Sequence, residues 1–301
     1  MSESAPPVLR TTHAADEVIP LFSMDTYRYT RVFSGSYKWV INGTLDVETL
    51  RHGLDTLANR GTWRKFGARI RQNSEGDLEW HVPRQYTKER PAYHLTVHTY
   101  ASVAAANLFI PTPTRDAPSI QPNMGPDVVF VHPDTPIKLE EYLDPAQDHP
   151  CFNLHVSLFR DDPITCIGIT LPHIYGDGVG VAKMLSNWLT LMRNPNAPIP
   201  VLHGYDTDPL APLEASYDFA EDLTTEKWEE TLRNITSQEV AEDRPREYRT
   251  VYLPGSHVKR MRAEALAELR QRQQRGEAVP DFLSENDIII AWWIKVLHFR
   301  Y

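Results

Sequence analysis

His173-Ile174-Tyr175-Gly176-Asp177-Gly178 is the segment of this chain whose residue types and spacing could do chemistry. Imidazole titrates near neutral pH, so a histidine held on a turn can take a proton from a hydroxyl or an amine. The segment falls where an apolar run, Ile164 to Leu171, gives way to a helical pattern from Val181 onward. A strand end that runs into a glycine-bearing turn can project a side chain into a cleft. The chemistry this points to is proton abstraction, with His173 as the general base of a transfer reaction. A His, an Asp and a Gly at these offsets arise by chance in on the order of a few per cent of chains this size. The segment gains weight only from the elements around it.

Each neighbour of His173 has two readings. Asp177 could orient the imidazole, but it directly precedes the helical pattern. There an aspartate caps free N–H groups and meets the positive end of the helix dipole, so its reading is structural. Gly178 is read as the residue that lets the backbone turn tightly. Tyr175 is a candidate substrate-binding residue, and core packing accounts for it equally well. Gly176, Gly178 and Gly180 hint at a dinucleotide loop. The third glycine of that fingerprint would fall at residue 181, which is valine, and the acidic residue expected about 20 positions on is missing. A Cys166–His173 nucleophile pair is conceivable, but Cys166 lies inside an apolar strand, where a buried inert thiol is the common outcome. The 12 histidines are scattered. His94 and His98 read as half-exposed residues of one strand face, and no metal site is expected.

The composition narrows the class. The 301 residues are 41% hydrophobic and 24% charged, enough for a packed core and comfortable for two domains. The net charge of −9, with no run of Lys and Arg, argues against nucleic acid as a partner. Met1 to Pro7 has neither a basic nor an apolar region of a secretory signal. The longest apolar stretch, Ile288 to Leu297, contains Lys295 and is too short to span a bilayer. Two cysteines make no disulfide framework. These points lead to the expectation of a cytoplasmic protein with no membrane partner.

The elements that must position His173 follow from periodicity. Residues 1 to about 18 read as loose, and Phe33 to Ile41 as a strand. Asp46 caps a helix with Val47, Leu50, Leu54 and Leu57 at helical spacing, ended by Asn59-Arg60-Gly61. Ala68–Arg71 and Leu78–Val82 flank a five-residue loop and read as a hairpin. His94 to Thr99 alternates as a strand. Nine of the 24 prolines fall between 111 and 150, so surface loops are expected there, with a short strand at Val128 to Val131. Phe152–Phe159 and Ile164–Leu171, joined by Arg160-Asp161-Asp162-Pro163, form the clearest hairpin. Its second strand delivers His173. The following helix buries Val181, Met184, Trp188 and Leu191, and Asn194-Pro195 stops it. The proline-rich residues 195 to 215 read as an exit linker, with a short helix expected around Thr225 to Asn234. Arg249 to Leu253 reads as a strand. Ser256 should cap a helix that runs through Arg272, and Ser284 a last one bearing Ile288, Ile289, Ala291, Trp292 and Trp293. That last apolar face lacks an evident cover.

In this order the features resemble a known family. The helix Leu45–Leu54, the strand Phe66-Gly67-Ala68-Arg69-Ile70, the Gly76–Glu79 turn, the His173-x-x-x-Asp177-Gly178 loop and the downstream Ser284-Glu285-Asn286-Asp287 with Ile288-Ile289-Ile290-Ala291 carry the likeness. Together they resemble the BAHD-type and fungal trichothecene 3-O-acetyltransferase-like members of the CoA-dependent acyltransferase superfamily. The resemblance covers residues from about 21 to 301. It implies an α/β fold of mixed sheets with helices, chloramphenicol-acetyltransferase-like. It also implies a complete first domain (1–200), a crossover linker (201–247) and the beginning of a second domain (248–301). The Asp-Phe-Gly-Trp-Gly motif of the second domain does not occur in this sequence, and on that ground the chain is expected to be shortened. His173 would be the base, and Asp177 would fix the loop through an ion pair away from the acceptor. The expected reaction moves an acyl group, acetyl for preference, from acyl-CoA to a hydroxyl of a small secondary-metabolite acceptor. Acyl-CoA is a co-substrate, and no cofactor is permanently bound. The same motif serves enzymes that take the acyl group from a carrier protein. The competing expectation is a non-catalytic acyltransferase-like binding module, with a partner chain or self-association covering residues 288–297.

Overall fold

The computed structural model describes residues 15–22, 24–26, 28–31, 34–214 and 248–298. In chain order the elements are β1 (Glu17–Pro20), β2 (Ser34–Asn42), α1 (Val47–Ala58), β3 (Arg69–Gln72), β4 (Leu78–Val82), β5 (His94–Tyr100), β6 (Ser119–Pro122), α2 (Leu139–Leu143) and β7 (Asn153–Phe159). They continue with β8 (Ile164–Pro172), α3 (Gly178–Arg193), α4 (Ala211–Glu214), β9 (Arg249–Tyr252), α5 (Gly255–Gln274) and α6 (Glu285–His298). Short 3-10 turns occupy Arg28–Arg31, Gly61–Gly67, Asp127–Val129 and His173–Tyr175. Mixed sheets with helices make this an α/β chain, as expected. It divides into two compact units, Met1–Leu108 with Pro126–Asp243, and Phe109–Gly125 with Arg244–Tyr301.

The first unit is built on a four-stranded sheet in the order β2-β8-β7-β5. β5 pairs with β7 in parallel, and the other two pairings are antiparallel. Side chains alternate between the faces of a strand, and here the two faces differ in kind. On one face Leu154, Val156, Ile167, Ile169 and Leu171 are buried against Leu50, Leu54 and Leu57 of α1 and Val181, Met184, Trp188 and Leu191 of α3. Each such side chain stabilises the fold by about 1.5–3 kcal/mol on full burial. The two helices approach closely because residue 53 is glycine. A Cβ there would lie 2.5 Å from Met192 Cγ and 2.8 Å from Trp188 Cδ1. The Trp188 indole N–H donates to the Leu50 carbonyl at 3.0 Å. Asp46 caps α1 as the sequence predicts, its carboxylate accepting from Glu48 N and Thr49 N.

The opposite face of the same sheet carries Asn153, His155, Ser157 and Thr170, all buried. Residues 126–137 run over it. The expected strand at Val128 to Val131 is instead the 3-10 turn Asp127–Val129. Pro126 precedes it, and the Asp127 carbonyl takes the N–H of both Phe130 and Val131 at 2.8 Å. That tight local pattern withdraws the amides from any ladder.

A second sheet, β1-β4-β3, is antiparallel throughout. Its core holds Ile19, Ile70, Leu78, Trp80, Val82, Tyr142 and Cys151, and also Ile174 from the His173 turn. β1 is a correction to the expectation that residues up to 18 are loose. Val18 pairs with His81 and Ile19 with Trp80, but four residues are too few for a periodic signal. Residues 1–14 lie outside the described residues. Beside this sheet Arg69, Arg71 and Arg90 converge on Asp148, and Arg90 also pairs with Asp16.

In the second unit β6 and β9 pair antiparallel, with Ile120 opposite Val251. α5 starts at Gly255 after Pro254 and has no side-chain cap, so Ser256 lies inside the first turn rather than before it. The last helix starts as expected. The Ser284 hydroxyl accepts from Asp287 N at 3.1 Å, and the Asp287 carboxylate accepts from Ser284 N at 2.7 Å. The helix predicted around Thr225 to Asn234 lies outside the described residues. No described helix is long and apolar enough to cross a membrane.

Candidate functional site

β8 is an inner strand of the four-stranded sheet. It is paired along its full length with β2, from Ser34 opposite Pro172 to Asn42 opposite Ile164. Pro172 is extended (φ −67°, ψ 140°), and the chain then tightens into the His173–Tyr175 turn, closed by Gly176 N donating to the His173 carbonyl at 3.2 Å. His173 is half-buried, and its Nδ1 is buried. The residues after it act as wedges. Ile174 is 2% exposed in the core of the second sheet. Tyr175 touches both cores, lying edge-on to Phe66 (centroids 6.5 Å) and Trp80 (6.2 Å). Its hydroxyl donates to the Phe66 carbonyl at 3.1 Å, and burial pushes its pKa well above the ordinary phenol value. The structure thus gives Tyr175 packing contacts and a neutral donor role that fixes the turn. The Arg28–Arg31 turn packs beside the same three residues.

Asp177 is exposed and serves as the N-cap of α3. Its carboxylate accepts from Gly180 N at 2.7 Å, and its carbonyl accepts from Val181 N at 3.0 Å. One of its two carboxylate oxygens, Oδ1, is engaged by the helix. Gly178 is the first helical residue and is not in the left-handed region, so the turn does not depend on a glycine at that position. A Cβ at Gly176 or Gly178 would meet nothing within 4 Å. The space beside the turn, on the side where α3 begins, is open.

The thiol alternative to His173 loses ground in the geometry. Cys166 is fully buried, and burial pushes its thiol up to about 11. Five strand residues separate it from Pro172, six steps and a rise of about 20 Å, so it cannot pair with His173. Among the described residues no group of three or more His, Cys, Asp or Glu could hold a metal ion. His94 is half-buried and His98 exposed on β5. Burial, with His149 and His132 nearby, lowers the pKa of His94.

Sequence reasoning missed how the turn is held. Ile174 reads as a spacer inside the motif, yet it is the side chain most deeply seated. Asn153 was a strand residue without a role. Its amide donates to Thr170 O (3.3 Å) and Tyr142 Oη (3.2 Å), tying β7, β8 and α2 together behind the turn. The detectable signal was the alternation Asn153, His155, Ser157, polar residues at every second position of an otherwise apolar strand.

Fold and site define an α/β protein that carries a histidine at the end of an inner strand, on a turn clamped between two cores. No family model matches the sequence. A protein named acetyltransferase sphE from Aspergillus fumigatus is 33% identical over 319 residues, covering 98% of this chain and 60% of that protein. A protein named transcriptional regulator calD from Penicillium decumbens is 32% identical over 298 residues, 94% of this chain and 57% of that one. Acetyltransferase adrJ from Penicillium roqueforti is 29% identical over 307 residues, 98% of this chain and 60% of its own length. Among solved structures, F. sporotrichioides TRI101 complexed with coenzyme A and T-2 is 12% identical, with a TM-score of 0.41, over 61% of this chain and 42% of that one. A structural likeness of that size bears on neither fold nor activity. In sequence the chain is similar to fungal proteins named acetyltransferases, and to one named a transcriptional regulator, in agreement with the resemblance stated for the His173 segment and its flanks. It spans about 60% of the length of the curated relatives it matches.

Proposed function

We propose that this chain carries the base-bearing part of an acyl-CoA-dependent O-acyltransferase. The observation that carries the reading is the clamped turn at the end of β8, which holds a half-buried His173 on a turn whose Gly176 and Gly178 border open space, while Asp177 caps the helix. His173 takes the proton of an acceptor hydroxyl as its oxygen attacks the thioester carbonyl carbon. The C–O bond forms, the tetrahedral oxyanion collapses, and the C–S bond breaks. The proton held on His173 then passes to the departing thiolate, giving CoA thiol. No covalent enzyme intermediate is needed. A positioned base of this kind contributes about 10²–10⁴-fold.

The acyl group is acetyl and the acceptor a small hydroxylated secondary metabolite; the names of the sphE and adrJ relatives support the first point. Acyl-CoA is a co-substrate, and no permanently bound cofactor enters the reaction. The parts of the chain act as a first acyltransferase domain (1–200), a crossover (201–247) and the beginning of a second domain (248–301). The exposed apolar residues of α6, Ile289, Ile290, Trp293 and Ile294, are the surface that a partner chain or self-association covers.

Purified protein mixed with acetyl-CoA and a panel of hydroxylated acceptors tests this. Free thiol should appear only when an acceptor is present. Thiol release that no acceptor stimulates, across alcohols of varied shape, counts against it. A second reading, a non-catalytic binding module, is favoured by the regulator name of the calD relative. It predicts that acyl-CoA or a small molecule binds without turnover.

A further inference from the structure

We propose that residues 126–137 form a strap latched to the polar face of the four-stranded sheet through His155, and that protonation of His155 releases it. The strap is fastened at four points. Lys38 Nζ pairs with Asp127 at 2.6 Å, and Ser157 Oγ donates to the Val129 carbonyl at 2.9 Å. Tyr142 Oη donates to the Pro136 carbonyl at 2.8 Å, and Ser34 Oγ donates to the Ile137 carbonyl at 2.6 Å. Ser34 is the partner of Pro172, the residue before His173, so the far end of the strap is anchored beside the strand end that leads into His173. Beneath its middle the sheet makes room: a Cβ at Gly168 would lie 1.6 Å from the Phe130 carbonyl oxygen.

His155 is the keystone of the central fastening. Its Nδ1 lies 2.7 Å from Thr96 Oγ1, and its Nε2 lies 3.3 Å from Ser157 Oγ. Ser157 has one hydroxyl proton, and the Val129 carbonyl takes it. His155 must therefore donate from Nε2 to Ser157 and accept at Nδ1 from Thr96, the neutral tautomer. A second proton would displace the Thr96 donor. It would also place a cation 5.8 Å, ring to ring, from His132 on the strap itself.

The other groups facing His155 deepen the effect. β5 presents His98, β8 presents glycine and the neutral thiol of Cys166, and β2 presents Lys38 in the same register row, with its charge met by Asp127. The strap's Asp134 lies 3.7 Å from His132 rather than beside His155. Burial first, then His132 and His98, lowers the pKa of His155 to about 4.

The direction follows from linkage. With the strap closed His155 resists protonation, and with it open the imidazole returns toward its ordinary value of about 6.5. Closure is strongest above that value and weakens as the pH falls, toward a limit of about 300-fold in the closing equilibrium below pH 4.

The experiment is amide hydrogen exchange on the full chain at pH 7.0, 6.0 and 5.0, corrected for the intrinsic pH dependence of exchange. The amides of Phe130, Val131 and Thr135 should lose protection about sevenfold between pH 6.0 and 5.0, while the β8 amides stay protected. In His155→Gln, which is neutral throughout, strap protection should not change with pH. Flat protection in the wild type overturns the proposal, as does an equal loss in the variant. If the variant does not fold, the His155 imidazole is titrated by NMR in the wild type. A value near 4 supports the latch, and a value of 6 or above overturns it.

Discussion

The sharpest separation of architecture from chemistry comes from replacing Asp177. In the structure its carboxylate spends its hydrogen bond on Gly180 N at 2.7 Å and leaves His173 to other contacts. Asn caps a helix nearly as well as Asp, so Asp177→Asn loses mainly the charge–dipole term of an exposed N-terminus, about 0.3–1 kcal/mol. Ala cannot accept the bond and costs about 1 kcal/mol more. α3 carries Val181, Met184, Trp188 and Leu191 into the core, so the loss is felt by the whole first unit. Urea unfolding midpoints read the stability, and acceptor-dependent thiol release reads the chemistry. The expected order of stability is wild type, Asn, Ala, with rates at saturating substrate within about threefold of wild type for Asn. A fall of 10²-fold or more in Asp177→Asn at unchanged stability would refute the capping account. It would return Asp177 to the role of orienting His173.

Other perturbations follow from the packing. Tyr175→Phe removes the donor to the Phe66 carbonyl but keeps the ring contacts. It should lower kcat several-fold, leave KM for acyl-CoA within twofold and cost about 1 kcal/mol of stability; a changed KM with unchanged kcat would make Tyr175 a substrate contact instead. Gly168→Ala drives a Cβ into the Phe130 carbonyl. Because backbone cannot swing aside, thermal unfolding should show a loss of about 3 kcal/mol or no folded protein. Asp148→Asn keeps the amide tolerated at φ 45° but leaves Arg69 and Arg71 without their counter-charge. Asp148 is 22% exposed, so the cost is at the low end for a broken buried pair, about 3 kcal/mol at pH 7. Burial works to raise the Asp148 pKa, but the Arg90 hydrogen bond and the charges of Arg69, Arg90 and Arg71 outweigh it and hold it below the ordinary carboxylate value. The wild-type advantage is therefore present above about pH 4 and is lost as the pH falls further; unfolding midpoints of both proteins should converge in acid.

Much of the first unit was legible because long elements announce themselves. The alternation of β8, the stripe of α3 and the Asp46 cap each repeat a local rule several times over, and the structure follows them within a residue or two. The strap was not legible. Val128 and Val129 have strand propensity, but Pro126 and the carbonyl of Asp127 set the local geometry. β1 and β6 are four residues each and exist through their partners, Glu79–Val82 and Arg249–Tyr252, which no local window contains. At the site, the motif placed His173 and the cap. It said nothing of the two cores that seat Ile174 and Tyr175, because that clamp is made by residues as distant as Phe66 and Trp80. The polar face of the sheet was visible as alternation in β7, but its meaning depends on which segment lies over it.

The central claim is that His173 is the base, and one comparison tests it most directly. Acceptor-dependent CoA release is measured for wild type and His173→Ala, with thermal unfolding of both as the control for folding. The account predicts a loss of about 10²–10⁴-fold in kcat at an unfolding temperature within a few degrees of wild type. Turnover retained within tenfold by a folded His173→Ala protein would contradict it.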